Sequence, residues 1–247
     1  MILERTEHPG WLSNAYLVGD ERGGTGVFID GNDTLAPLVA AARANELDVA
    51  AILVTHSHHD HVAGLEEVKR ELDVPVYAHA LTTQQVGGGL VDRTLDDDEE
   101  VTFGGLRVRA LYTPGHVAGH LAFLVDDTDV FTADVLFKGT VGGTRAPGAT
   151  GFADLRASVE RLLALPDDTV VHPGHTLPTT VGEERESNPF VRVWDGREPE
   201  GSEPCRVRGE EATLVLWAPD YDGTNKAWVR FPNGEDAIVG GSQVDRG

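Results

Sequence analysis

The segment Thr55-His56-Ser57-His58-His59-Asp60-His61 constrains this chain more than any other stretch of its 247 residues. It follows Ala50–Val54, a short continuous apolar run of the kind that forms a strand covered on both faces. In an extended chain the side chains at i and i+2 point the same way, so His56 and His58 can grip one ion from one side. A helix over His61–Leu72 then turns Asp60 and His61 toward a neighbouring position, while the parity of His59 points it away toward solvent or a supporting role. Imidazole suits zinc and other first-row metals, and a carboxylate adds charge and an acceptor. Asp60 alone could be a helix N-cap. Packing gives no reason for the whole cluster, because several imidazoles at one strand end lose solvation without a partner. The fold must therefore bury a strand and open its end onto a metal.

Charge and composition narrow the setting. Twenty basic against 41 acidic residues give a net charge of −21, which argues against nucleic acid and against an anionic membrane surface. The run Asp96–Glu100 reads as a solvated loop. No apolar stretch approaches the ~18–20 residues that span a bilayer. The opening MILERTEHPGW lacks a basic region followed by an apolar one, and Cys205 has no second cysteine to pair with. A cytoplasmic location is the expectation.

Strands are expected at Ile2–Thr6, Ala15–Val18 and Gly26–Ile29, then an amphipathic helix at Leu35–Leu47 with Pro37 in its first turn. After the metal segment comes a strand at Val74–Ala78. Four more follow at Val101–Phe103, Leu106–Tyr112, Leu121–Val125 and Val130–Thr132, with Gly104-Gly105 as a hairpin turn. Lys138–Gly151 is rich in Gly and Thr and reads as a loop. Phe152–Leu165 is helical, stopped by Pro166, and Thr169–Val171 is a strand. This order points to an α/β sandwich with sheets inside and helices outside, a catalytic domain over 1–192. Residues 195–204 suit a linker, and 193–247 form a small C-terminal β extension. Its strands are Ala212–Trp217, Ala227–Phe231 and Asp236–Val239, a β-meander. Trp194, Trp217, Tyr221 and Trp228 make it aromatic, suited to packing on the main domain, to shaping a pocket mouth or to holding a homo-oligomer together.

THSHHDH matches the THxHxDH motif of the metallo-β-lactamase superfamily. TPGH with His116, FTADVLF with Asp134 and HPGH with His175 stand downstream in that family's order. From about Asn14 to Phe190 the chain resembles this superfamily, which implies an αββα sandwich with the metals at the edge between its sheets. The resemblance places His56, His58 and His116 on a first divalent ion and Asp60, His61 and His175 on a second, with Asp134 bridging. Zinc is the expected metal, with iron or manganese accepted by the same donors. His120 and His172 read as buried packing or as orienting groups, and His79 and His8 as structural or exposed.

The resemblance also implies a reaction. Metal-bridging hydroxide attacks, Asp60 accepts a hydrogen bond from it, and no GxSxG elbow offers a competing nucleophile. The run GHTLPTTVGEERESNPF looks like the ending of small glyoxalase II-type hydrolases, which cleave hydroxyacyl thioesters of a small carrier thiol. The implied substrate is therefore a small-molecule thioester or ester. Lys138 and Arg145 are candidates for its carboxylate. Two departures bear on the carrier: the loop from Lys138 to Arg145 lacks the family's glutathione-reading pattern, and the C-terminal piece is β rather than helical. The alternatives on the same scaffold are a lactonase and a mononuclear iron persulfide dioxygenase.

Overall fold

The structure, a computed structural model, describes residues 1–87 and 89–247. Its contacts group them into two units. One holds Met1–Tyr112, Gly119–Ala133 and Gly174–Thr176, the other Thr113–Ala118, Asp134–Pro173 and Leu177–Gly247.

In the first unit β1 (Ile2–Glu7), β2 (Asn14–Gly19) and β3 (Thr25–Ile29) pair antiparallel. Helix α1 (Ala36–Ala44) crosses over to β4 (Asp48–Leu53), parallel to β3. Helices α2 (His59–Val62) and α3 (Leu65–Leu72) cross to β5 (Val76–Ala78), and α4 (Ala80–Val86) leads to β6 (Arg93–Thr94). The sheet order is β1-β2-β3-β4-β5-β6. A second, antiparallel run follows: β7 (Glu100–Phe103), β8 (Leu106–Tyr112), β9 (Leu121–Val125) and β10 (Asp129–Ala133). Phe103 pairs with Leu106 across Gly104-Gly105, the two-residue turn the sequence predicts.

Period-two patterning explains the layers. Val27, Ile29 and Leu53 face the second sheet and pack with Val108, Phe123 and Phe131. Their neighbours Phe28 and Ile52 face the other way, against Leu38 of α1 and Leu65 of α3. Each such side chain contributes about 1.5–3 kcal/mol by leaving water. The expected α/β layering is present, with β4 buried on both faces.

Local details differ from expectation. The helix expected at His61–Leu72 starts at His59 and breaks between Val62 and Leu65. A Cβ on Gly64 would collide with the carbonyl oxygen of Asn32, and the Gly64 amide donates to the carbonyl of Gly31 at 2.7 Å. The helix is thus interrupted by a loop more than thirty residues earlier in the chain. Helix α1 is shorter than Leu35–Leu47, and α4, whose ALTTQQV carries two β-branched threonines, had no helical signal.

The second unit carries a short hairpin, β11 (Leu136–Phe137) with β12 (Thr140–Val141), inside the segment expected to be loop. Helix α5 (Phe152–Leu163) precedes β13 (Val170–Pro173), which pairs with β14 (Thr179–Thr180). Helices α6 (Val181–Ser187) and α7 (Pro189–Trp194) come next. The extra C-terminal sheet is antiparallel and has five strands rather than three. They are β15 (Glu203–Val207), β16 (Glu210–Pro219), β17 (Asn225–Arg230), β18 (Asp236–Gly240) and β19 (Val244–Asp245), in the order β18-β17-β16-β15-β19. β15 escapes a sequence reading because only Cys205 and Val207 turn inward, between Pro204 and charged residues. Trp228 of β17 stacks on Phe152 of α5 at 5.1 Å, with Trp194 of α7 at 6.4 Å, so the sheet packs on helices of its own unit.

One buried carboxylate organises the region around α6. Glu184 accepts from Thr179 Oγ1 (2.8 Å), Asn188 Nδ2 (2.8 Å) and the Gly139 amide (2.9 Å). Burial pushes its pKa up, against these three donors. Asn188 also caps α7 through the Phe190 amide at 3.0 Å, with Pro189 at the first helical position. Glu184→Ala is expected to cost about 1–3 kcal/mol by stranding buried donors. Glu186→Ala, at an 81% exposed side chain, should change stability by less than about 0.5 kcal/mol. Denaturant midpoints of the two variants check this.

Candidate metal centre

In the first unit the chain leaves β4 still extended and stays so through His58, the N-cap of α2, so Asp60 lies inside the helix rather than capping it. The His56 and His58 rings meet edge to face at 4.8 Å, and His56 lies 4.4 Å from His61. His175 is delivered by backbone bonds. The Asn14 amide donates to Gly174 O at 2.7 Å, and the Gly174 amide donates to Ala133 O at 2.9 Å. Ser13 forms a bridge with His175 and donates its hydroxyl to Asp60 O at 2.7 Å. Asp60, His61 and His175 thereby bring one donor atom each within 4.8 Å of one another.

The spacing fits a shared ion. Two atoms bound at ~2.1 Å with a tetrahedral angle lie about 3.4 Å apart. Asp60 Oδ2 stands 3.6 Å from His61 Nε2 and 3.5 Å from His175 Nε2. Ordinary N–H···O bonds are shorter, roughly 2.7–3.2 Å. In the second unit His116 Nε2 and Asp134 Oδ2 show the same separation, 3.4 Å. His61, His116, Asp134 and His175 are all buried. This is donor chemistry suited to divalent first-row ions.

A residue the sequence reading passed over, Asp30 just after β3, sets the direction of two candidate ligands. Its buried carboxylate accepts from the Thr55 amide (2.8 Å) and from Thr55 Oγ1 (2.8 Å to Oδ2). His61 Nδ1 lies 2.9 Å from Oδ2. A carboxylate facing these donors can only accept, so His61 holds its proton on Nδ1 and presents the Nε2 lone pair. Thr55 Oγ1, having given its proton to Asp30, accepts from His56 Nδ1 at 3.0 Å, which fixes the same tautomer there. In the second unit the Gly143 carbonyl does this for His116 Nδ1 at 2.9 Å. That carbonyl is in place because a Cβ on Gly142 would overlap Asp134 O. The only local signals were an Asp after an apolar run and a Gly pair in an apparent loop.

Three of the ten left-handed non-glycine residues lie beside these groups: Asp30 (φ 62°), Ala133 (φ 39°) before Asp134, and Thr176 (φ 66°) after His175. Each costs on the order of 1–3 kcal/mol, held by the surrounding bonds.

His120 is buried and stacks on His56 at 5.1 Å, and His172 is buried in the second unit. His59 is exposed against Trp11 at 5.1 Å. His79 caps α4 through the Leu81 amide and stacks on Tyr112 at 4.8 Å, burial lowering its pKa. His8 pairs with Asp33 at 2.9 Å. Lys138 lies 3.8 Å from Glu183, and Arg145 binds Glu235 at 2.9 Å over the Phe231 ring.

Comparison with known proteins is consistent with this chemistry. The metallo-beta-lactamase superfamily profile matches residues 8–175. An uncharacterized protein of Mycobacterium tuberculosis is 34% identical over 209 residues, covering 72% of this chain and 92% of that one. The hydroxyacylglutathione hydrolase of Rhizobium etli is 31% identical over 216 residues, covering 72% and 82%. Among solved structures, TTHA1623 in a di-iron-bound form aligns with TM-score 0.67 and 35% identity, over 76% of this chain and 99% of that one. ETHE1 from Myxococcus xanthus aligns with TM-score 0.68 and 26% identity, over 80% and 92%.

Asp30→Asn should weaken metal retention about 10–100-fold in a chelator competition, the usual effect of losing a carboxylate behind a histidine ligand. Asp33→Asn, on the following turn, should leave retention unchanged. An Asp30 variant that holds metal like the parent removes Asp30 from this role.

Proposed function

The chain belongs to the metallo-β-lactamase superfamily, and from that premise we propose that it is a dinuclear metal-dependent hydrolase of small acyl thioesters. In this reading His56, His58 and His116 would hold one ion and Asp60, His61 and His175 the other, with Asp134 available to both. The observation that carries it is the tuning of the imidazoles. His56, His61 and His116 each give their Nδ1 proton to an oxygen behind the ring, leaving Nε2 as a donor atom. The ions would supply a lowered water pKa, from ~15.7 toward ~7, and an electrophile for the acyl oxygen.

The protein's own groups do the rest. Asp60, half-buried and flanked by His61 and His175, accepts a hydrogen bond from the attacking water and aims its lone pair at the acyl carbon. The carbon–sulfur bond then breaks, releasing a carboxylic acid and a thiol. Two things favour a thioester: the likeness of Gly174–Phe190 to glyoxalase II-type endings, and the hydroxyacylglutathione hydrolase among the relatives. Zinc is the first choice of metal, and iron is supported by a relative crystallised in a di-iron form.

A hydrolysis screen of thioesters, lactones and β-lactams with metal-quantified protein tests this. The expected result is about two ions per chain and thioester turnover that needs no oxygen. Asp134→Ala should lose metal and lower turnover by about a thousandfold or more, whereas His79→Ala should keep both. Full turnover in the Asp134 variant overturns the ligand assignment. Preferred lactone cleavage, or one iron per chain with oxygen consumption on a persulfide, replaces the thioesterase reading.

A further inference from the structure

Within the second unit the C-terminal sheet and two of the candidate ligands share a cavity of about 240 Å3. His116 and Asp134 line it beside Phe137, and the β16–β17 turn and β17 contribute Asp220, Tyr221, Asp222 and Lys226. Lys226 is only 5% exposed. Its ammonium lies 3.1 Å from Asp220 Oδ1, and 5.3 and 5.1 Å from the ring centres of Phe137 and Tyr221. A buried ammonium persists only where its charge is matched, and Asp220 with two ring faces matches this one.

Lys226 is therefore engaged within the wall of the cavity. Asp222 adds a second carboxylate, exposed on the turn and accepting from the Thr224 amide (2.9 Å) and hydroxyl (2.6 Å). Burial opposes its ionisation, but the Thr224 bonds and the Lys226 charge hold its pKa below the usual carboxylate range. Among the residues that the β16–β17 turn and β17 contribute, two anions face one cation. Lys138 and Arg145, the cations first considered for a substrate carboxylate, are engaged by Glu183 and Glu235. A carrier's carboxylate reaching this turn would meet the charge of Asp222, since Asp220 already matches Lys226, whereas an uncharged chain would meet half-buried Tyr221 without that repulsion.

Building on the thioester reading, we propose that this wall selects the carrier. The site takes thioesters of an uncharged or cationic thiol and discriminates against carriers bearing carboxylates, such as glutathione, with Asp222, beside the matched Asp220–Lys226 pair, as the specificity-determining group. The C-terminal sheet is then part of the substrate pocket.

Two hydrolysis-resistant thioethers test it by calorimetry on the metal-quantified protein: S-propyl-N-acetylcysteamine and S-propylglutathione. The uncharged probe should bind about tenfold tighter or better, and raising the salt should narrow the gap. Asp222→Asn should reduce the affinity ratio at least threefold, whereas the neutral pair Asp220→Asn with Lys226→Met, which leaves the net charge unchanged, should alter it less. Equal affinities, tighter binding of the glutathione probe, no binding of either probe, or a ratio untouched by Asp222→Asn overturns the proposal. The corresponding thioesters separate it from the catalytic reading. Discrimination in binding without hydrolysis of either ester sinks only the thioesterase, and hydrolysis of both with equal KM sinks only the carrier selection.

Discussion

The carboxylate of Asp30 is the contact on which the first unit's chemistry depends. It lies just after β3, takes the amide and hydroxyl of Thr55 beyond the end of β4, and faces Nδ1 of His61 in α2. Two parallel strands and a helix are thus tied to one buried anion. A buried carboxylate is costly without donors, so these bonds are needed for stability as much as for direction. Because the anion accepts only, the arrangement also decides where His61 and, through Thr55, His56 carry their protons. Strand pairing and ligand chemistry are set together.

The second unit solves the same problem with a carbonyl. Gly143 O holds Nδ1 of His116, and the absence of a side chain on Gly142 lets the loop close against Asp134. Rigidity of this kind favours tight metal binding, since little ordering remains to be done when an ion arrives.

The later part of the glyoxalase II-like run, Thr179 to Phe190, makes scaffold contacts. Thr179, Glu184 and Asn188 bond one another and the amide of Gly139, fixing the turn of the hairpin that follows Asp134. The aromatic residues of the C-terminal segment divide in two. Trp228 and Trp194 pack with Phe152, whereas Tyr221 reaches the cavity of His116 and Asp134.

Much of this was legible in the chain itself, for a physical reason: a face is encoded by local period. The apolar run at Ala50–Val54, the alternation in Leu106–Tyr112 and the i, i+2 spacing of His56 and His58 each follow from backbone geometry. Charge and the His/Asp cluster needed no partner to be read. What the chain could not announce were features defined by residues far away in sequence. Gly64 breaks a helix because Asn32 lies against it, Asp30 becomes an orienting anion only when Thr55 and His61 arrive, and β15 becomes a strand because β16 and β19 flank it. Local sequence fixes which way a side chain points, and tertiary packing decides what it meets.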